Sequence, residues 1–521
     1  MEQIKGLEWL YDLYSQDPSR LSEEWRDYFS HGLAYAKPSL PPVFAKTEPI
    51  SHEEKKLLVH FLHRSAVFEH FIHTKYVGQK RFSLEGADIA LAILARIFET
   101  VLEEGGEEIV LGMTHRGRLN VMANLLQVPL VPLFHEFSGR KALFPQDRAG
   151  DVRYHLGCEG RYASFFSPRD SLPVTLLSNP SHLESICPVL QGVVRAKQER
   201  MGKHKVLPVQ LHGDAAFAGQ GVVYETLQLS GLKNYETGGT LHLILDNAIG
   251  FTTSPEEGRS TKECSDLAKA FDFPVFHLYE ERPEECIAVV IEALSLRAHL
   301  QRDLFLHLHC FRKYGHNEID EPTYTHPREY KNLRELPSAY VRYREQLLQE
   351  APEIVQEESV EFQTHLEKAW IESETVVKEN FSRTFVEKKL HSFVLTEIEK
   401  GHITSLLEIW CQVPPQFSLH PKLQGLVQER KEIAAGHRTM DWATAEGLAL
   451  GVLLSQGTSV RLVGQDTVRG TFSQRHACWV DTNTGELFFP FQAMAELGSS
   501  FTVCNTPLSE MAALGFEYGY S

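Results

Sequence analysis

An apolar run, Val206-Leu207-Pro208-Val209-Gln210-Leu211-His212, stops at Gly213-Asp214, and a second, Leu241-His242-Leu243-Ile244-Leu245, stops at Asp246-Asn247. Short runs this apolar read as strands buried on both faces, as in a parallel sheet. Between them lie Gly219, Gly221 and a stretch from Val222 to Leu232 with apolar residues at helical spacing. The pattern predicts strand, loop, helix and strand. Asp214 and Asn247 then stand at the carboxyl ends of neighbouring parallel strands, where open α/β sheets bind ligands. A carboxylate and a side-chain amide there offer hard oxygen ligands that suit Mg²⁺ carrying a diphosphate. Taken alone, the same two residues serve equally well as turn caps.

The 521 residues suffice for two or three domains with sizeable cores. A net charge of −17, with no broad basic stripe, argues against nucleic-acid binding. The eight cysteines are scattered without a C-x-x-C pair, which fits reduced thiols better than a disulfide framework or a zinc site. No run approaches the length of a membrane span, and the first residues carry neither a signal peptide nor an Arg-rich transit pattern. These features predict a soluble protein of the bacterial cytoplasm or a matrix-type compartment.

Further chemistry-bearing residues stand at predicted strand ends. The strand Glu108–Met113 runs into Thr114-His115-Arg116-Gly117-Arg118-Leu119-Asn120, where guanidinium groups suit phosphate or carboxylate capture. Asp151-Val152-Arg153-Tyr154-His155-Leu156-Gly157 follows, and Val174–Leu177 leads into Ser178-Asn179-Pro180-Ser181-His182-Leu183-Glu184. The latter is also a good loop-to-helix entry. Three histidines from three strand ends can hold a dicarboxylate or move protons near neutrality. In His307-Leu308-His309-Cys310, strand alternation puts the two histidines on one face and the cysteine on the other, which favours packing over a metal site. Tyr314-Gly315-His316-Asn317-Glu318 supplies a fourth candidate histidine. Residues 327–440 are charged and helical in period and read as a connector. A new α/β unit opens at Asp441 and carries Gly464-Gln465-Asp466-Thr467-Val468-Arg469-Gly470-Thr471-Phe472, then Thr506-Pro507-Leu508-Ser509-Glu510.

Together these strings resemble the 2-oxoglutarate dehydrogenase E1 components, members of the thiamine diphosphate-dependent 2-oxo acid dehydrogenase family. Gly213-Asp214-Ala215, followed about thirty residues later by Asn247, is similar to the family's cofactor signature. The resemblance implies a thiamine diphosphate-binding α/β fold, a doubly wound and mostly parallel sheet with a helical amino-terminal segment and a helical connector. The implied domains are 1–50, a docking segment and linker; 51–326, binding the diphosphate; 327–440, the connector; and 441–521, the opening part of a pyrimidine-binding domain. It implies Mg²⁺ held by Asp214, Asn247 and Ile249. Thiamine diphosphate would lie against Arg116, Ser181, Leu183, Asp214, Ala215, Ala216, Asn247, Ile249 and Gln465. His115, His155, His182 and His316 would meet the substrate, and Glu510 would hydrogen-bond the aminopyrimidine.

The implied reaction is oxidative decarboxylation of 2-oxoglutarate, with succinyl transfer to a lipoyl group of the E2 partner, dihydrolipoyl succinyltransferase. Residues 6–33, with Leu10-Tyr11-Asp12-Leu13-Tyr14 and Trp25…Tyr28-Phe29, would dock that partner. The family forms homodimers. The family also continues past the point where this sequence stops, so the last domain is expected to expose apolar surface. Two alternatives stand beside this reading: an E1 for 2-oxoadipate, and a truncated non-catalytic remnant that only docks.

Overall fold

The computed structural model describes residues 17–20, 26, 49–137, 153–167, 169–356, 361–375, 398–496, 498–509 and 511–521. Most of the expected docking segment 6–33, and Glu510, lie outside the described residues. The chain forms two compact units, one of residues 1–383 with 514–521 and the other of residues 384–513. The expected division between 440 and 441 falls inside the second unit.

The first unit is built on seven strands: β1 (Glu108–Gly112), β2 (Cys158–Ala163), β3 (Ser171–Leu176), β4 (Val206–Gly213), β5 (Leu241–Asp246), β6 (Val275–Tyr279) and β7 (Leu304–His309). Their order across the sheet is β2-β3-β1-β4-β5-β7-β6. All pairings are parallel except the antiparallel β2–β3 edge. Every residue of β1 and β5 is buried, as continuous apolar runs in a sheet covered on both faces must be. Pro208 is tolerated in β4 although it lacks an N–H. The β4–β5 pairing begins only at Val209, one residue later.

Helices supply the covering layers. The helix His52–Lys75 starts in a capping box between Ser51 and Glu54. It packs on Ile89–Glu103, whose residues from Ile89 to Val101 are all buried, so this helix has no solvent face. Ile186–Met201 lies on β4 and β1, and Pro283–Leu300 on β6. The glycine-bearing segment after Asp214, expected as a loop, is a helix from Asp214 to Gly219 that begins at the strand end itself. A second helix, Gly221–Leu229, continues from it.

The last residues of the chain dock on the first unit through close backbone approach. A Cβ on Gly192 would fall on the Phe516 carbonyl, and one on Gly519 would fall on the Val189 carbonyl. Gly192→Ala is therefore expected to cost about 1–3 kcal/mol, the usual range for forced overpacking. Thermal melts and faster proteolysis near residue 516 check it.

In the second unit β8 (Val460–Gly464) and β11 (Phe501–Asn505) pair in parallel, and β9 (Trp479–Val480) pairs antiparallel with β10 (Leu487–Phe488). Trp410, Phe491, Met494 and Leu454 centre its core. Trp442 and Phe472 are 92% and 86% exposed. No helix among the described residues is long and apolar enough to cross a membrane.

Candidate active site

β4 and β5 end side by side, and the residues that terminate them form the floor of a cavity of about 410 Å³. Its lining includes Asp214, Ala215, Ala216, Asn247 and Ile249 from these ends, and Leu183, His115, Arg116, Arg312 and His316 from neighbouring ones. The volume is that of a small-molecule or cofactor pocket.

The chain beyond β5 turns tightly. Ala248 has φ 55°, a left-handed value that a residue with a Cβ seldom adopts. Its N–H donates to Asp246 Oδ1 at 2.9 Å, and Gly250 and Thr253 exchange two backbone bonds of 2.9 Å. This turn directs Asn247 and Ile249 to the cavity. The side-chain oxygen of Asn247 is buried with no hydrogen-bond partner. A buried acceptor without a partner costs on the order of 1–3 kcal/mol, so something must compensate it.

Asp214 is only 3% exposed. Burial, and then the charge of Asp246, push its carboxyl well above the usual carboxylate range. Burial works against charge at Asp246 too, but the His307 ring, the Ala248 amide and Arg259 outweigh it and hold that carboxyl down. Arg259 stands 3.6 Å from each carboxylate. A divalent cation at Asp214 and the free oxygen of Asn247 would satisfy both residues at once. The donor set therefore fits a hard metal ion.

Above this floor the charge is positive. The Arg116 guanidinium donates to Ser83 O at 2.6 Å and His316 O at 3.1 Å. Burial, and then the neighbouring Arg312 charge, lower it to about 10. Arg312 donates to Tyr330 Oη at 2.9 Å and Phe251 O at 3.0 Å. The partners seen for both are uncharged, an arrangement that attracts an anion. His115 and His316 meet edge to face at 5.2 Å, and Phe82 packs on both. Burial, then Arg116, keep His115 well below its ordinary value and bring His316 to about 4. Both rings are neutral near pH 7. A histidine depressed by folding stabilises the protein above pH 6.5 and loses that contribution as pH falls towards about 4. Unfolding free energy should therefore drop less steeply over that window in His316→Gln, as urea titrations at several pH values would record.

The other expected residues are placed less centrally. His155 lies close enough to His115 to add to its depression. Ser181 and His182 are exposed beside the rim residue Leu183 and are not in the cavity lining. Gln465 is exposed in the second unit. Arg118, read with Arg116 as an anion binder, instead donates to the carbonyls of Leu156, Leu177 and Met113 at 2.6–2.9 Å. It ties strand ends together, and Gly117, with φ 75°, lets the chain turn between the two arginines.

Sequence reasoning passed over Asp246, Arg259 and Arg312. Asp246 sits one residue before Asn247, so a carboxylate next to the amide was the available signal. Arg259 and Arg312 stand in stretches that resemble the family, but their approach to the carboxylates and the cavity shows only in space. Asn179, expected at a helix entry within a string that resembles the family, is buried with both polar atoms of its amide lacking partners.

A mostly parallel sheet with a charged cavity at two strand ends is the arrangement of a ligand-binding α/β protein. The family model for the dehydrogenase E1 component matches residues 62–382, and that for the transketolase pyrimidine-binding domain matches 438–521. The chain belongs to the dehydrogenase E1 component family. It is 39% identical to the multifunctional 2-oxoglutarate metabolism enzyme of Mycolicibacterium vanbaalenii, over 91% of this chain and 40% of that protein. It is 40% identical to proteins of the same name from Mycobacterium sp. strains JLS and KMS, over 91% of this chain and 39% of each. The chain thus spans about two fifths of the length of these relatives.

Proposed function

We propose that the chain binds thiamine diphosphate through Mg²⁺ and acts as an E1-type oxidoreductase on 2-oxoglutarate. The observation that carries this reading is the partnerless oxygen of Asn247 beside the raised carboxyl of Asp214. Asp214, Asn247 and the Ile249 carbonyl would hold the metal, with Ala215, Ala216, Ser181, Leu183 and Arg116 against the cofactor. When bound, thiamine diphosphate supplies the nucleophilic carbon and the electron sink for decarboxylation.

The protein's own part is to bind and orient. Arg116 and Arg312 provide the field for an anion, and the neutral rings of His115 and His316 offer N–H donors to the substrate's far carboxylate. Phe82 fixes both rings, so the donors are preorganised. His155 and His182 would complete the substrate contacts and exchange protons with solvent. Gln465 is assigned to the cofactor and Glu510 to its aminopyrimidine. The proposal extends to transfer of the succinyl group to a lipoyl arm of E2, to docking by residues 6–33 and to a homodimer in a soluble compartment. The motif matches and the names of the relatives support it.

The test is calorimetric titration of the chain with thiamine diphosphate, with and without Mg²⁺, followed by decarboxylation of 2-oxoglutarate and 2-oxoadipate with an artificial electron acceptor. Binding only with the cation, and turnover of 2-oxoglutarate, are expected. Cation-independent binding would overturn the metal assignment, and preference for 2-oxoadipate would replace the substrate.

A further inference from the structure

The far edge of the sheet carries a second cluster of metal-ligating side chains. β6 is the edge strand, and His277 on it faces His307 directly across the β6–β7 ladder. His309, two residues on, shares that face. The rings of His307 and His309 stack with centroids 4.2 Å apart, and that of His277 lies tilted against His307 at 4.8 Å. His277 Nδ1 and His309 Nε2 are 2.8 Å apart and share one proton. Glu263, from the loop before the helical turn Asp266–Lys269, brings a carboxylate to the same place. One donor atom from each of Glu263, His277, His307 and His309 lies within 4.8 Å of the others.

We propose that Glu263, His277 and His309 form a binding site for a borderline divalent transition metal of the zinc type. Mixed imidazole and carboxylate donors select such an ion over Mg²⁺, which prefers oxygen alone. The ion takes the position of the shared proton. Ligand nitrogens in a tetrahedral site stand roughly 3.3 Å apart, so the two rings need to separate by only about half an ångström. His277 is on an edge strand and partly open to solvent, so ring movement and ion entry are both available. Burial, and then the neighbouring rings, hold His277 near 4, which leaves it neutral as a ligand must be. His307 sits behind the site. Its Nδ1 lies 2.8 Å from Ser265 Oγ and its Nε2 lies 2.9 Å from Asp246 Oδ2, so both nitrogens already have partners. It orients the stack and joins it to the carboxylate next to Asn247. This site differs in donors and in place from the cavity floor, and its existence does not depend on the cofactor assignment.

Equilibrium dialysis of the full chain with Zn²⁺, and titration with Co²⁺ as its spectroscopic stand-in, test the site without any cofactor. One ion per chain is expected, bound about 100-fold more weakly by His277→Gln, an effect at the upper end of what even an outer partner of a metal ligand is worth. His309→Ala serves as the second variant, with circular dichroism to confirm the fold of each. The same binding is expected in Asn247→Ala, which keeps this site apart from the cavity floor. No binding by the wild-type chain, wild-type affinity in both histidine variants, or loss in Asn247→Ala would each overturn the proposal. So would thiolate-to-cobalt charge transfer, which would place the ion on Cys264 or Cys187, the cysteines of the other two candidate clusters.

Discussion

Asp214→Ala is expected to weaken cation-dependent thiamine diphosphate binding by at least about 100-fold, or about 2.8 kcal/mol. The variant removes the negatively charged candidate ligand of the cavity floor and leaves Arg259 facing Asp246 alone. Without the cation, a diphosphate at the cavity floor would meet the partnerless oxygen of Asn247 with no positive charge between them. The apo protein should behave in the opposite sense. Burial, and then the charge of Asp246, disfavour the ionised form of its Asp214 carboxyl, so the alanine variant without cofactor should melt no lower than wild type. A loss of binding with retained stability identifies a ligand. Loss of both points to a structural residue, and unchanged binding removes the metal assignment.

Arg81→Met should cost about 3–5 kcal/mol of stability, the usual penalty for breaking a buried ion pair from one side. Arg81 is 1% exposed and meets Glu69 at 2.7 Å, Glu318 at 2.8 Å and Glu85 at 3.4 Å. Burial works against its charge, but the three carboxylates outweigh it and raise the guanidinium further. Glu69 is pushed up by burial, with Arg81 opposing. Removing the cation would leave three carboxylates together in a dry place, and they would take up protons. Their folded values then lie above the unfolded ones, so the penalty shrinks as pH falls and grows as it rises. Urea titrations at pH 5 and pH 8 separate this from a loss of packing, which is indifferent to pH. Because Glu318 is two residues from His316, the variant should also loosen the cavity wall.

Much of the site was legible because parallel α/β sheets put function at strand ends, and strand ends show in a sequence as apolar runs stopped by Gly, Asp or Asn. Asp214 and Asn247 stand out that way, while His115, Arg116 and His316 stand out through strings that resemble the family, and the structure brings all five to one cavity. The strands at 241–246 and 501–505 and the helix at 283–300 were legible for the same reason, since their patterns are long and uninterrupted. The two-residue strands β9 and β10, and the antiparallel edge β2, carry too few alternations to be read.

The amino-acid pattern establishes the α/β class, the longer strands and helices in chain order, and which strand ends carry candidate chemistry. These follow from periodicity and from the few residue types that stop a buried strand. The tertiary structure alone decided the partners. It inserted β7 between β5 and β6, which put His307 against Asp246 and His277 against His309. It directed Arg118 to backbone carbonyls and left Arg116 at the cavity. Lateral strand order and side-chain direction depend on how layers close over one core. That closure is a property of the whole packed unit, and no local pattern encodes it.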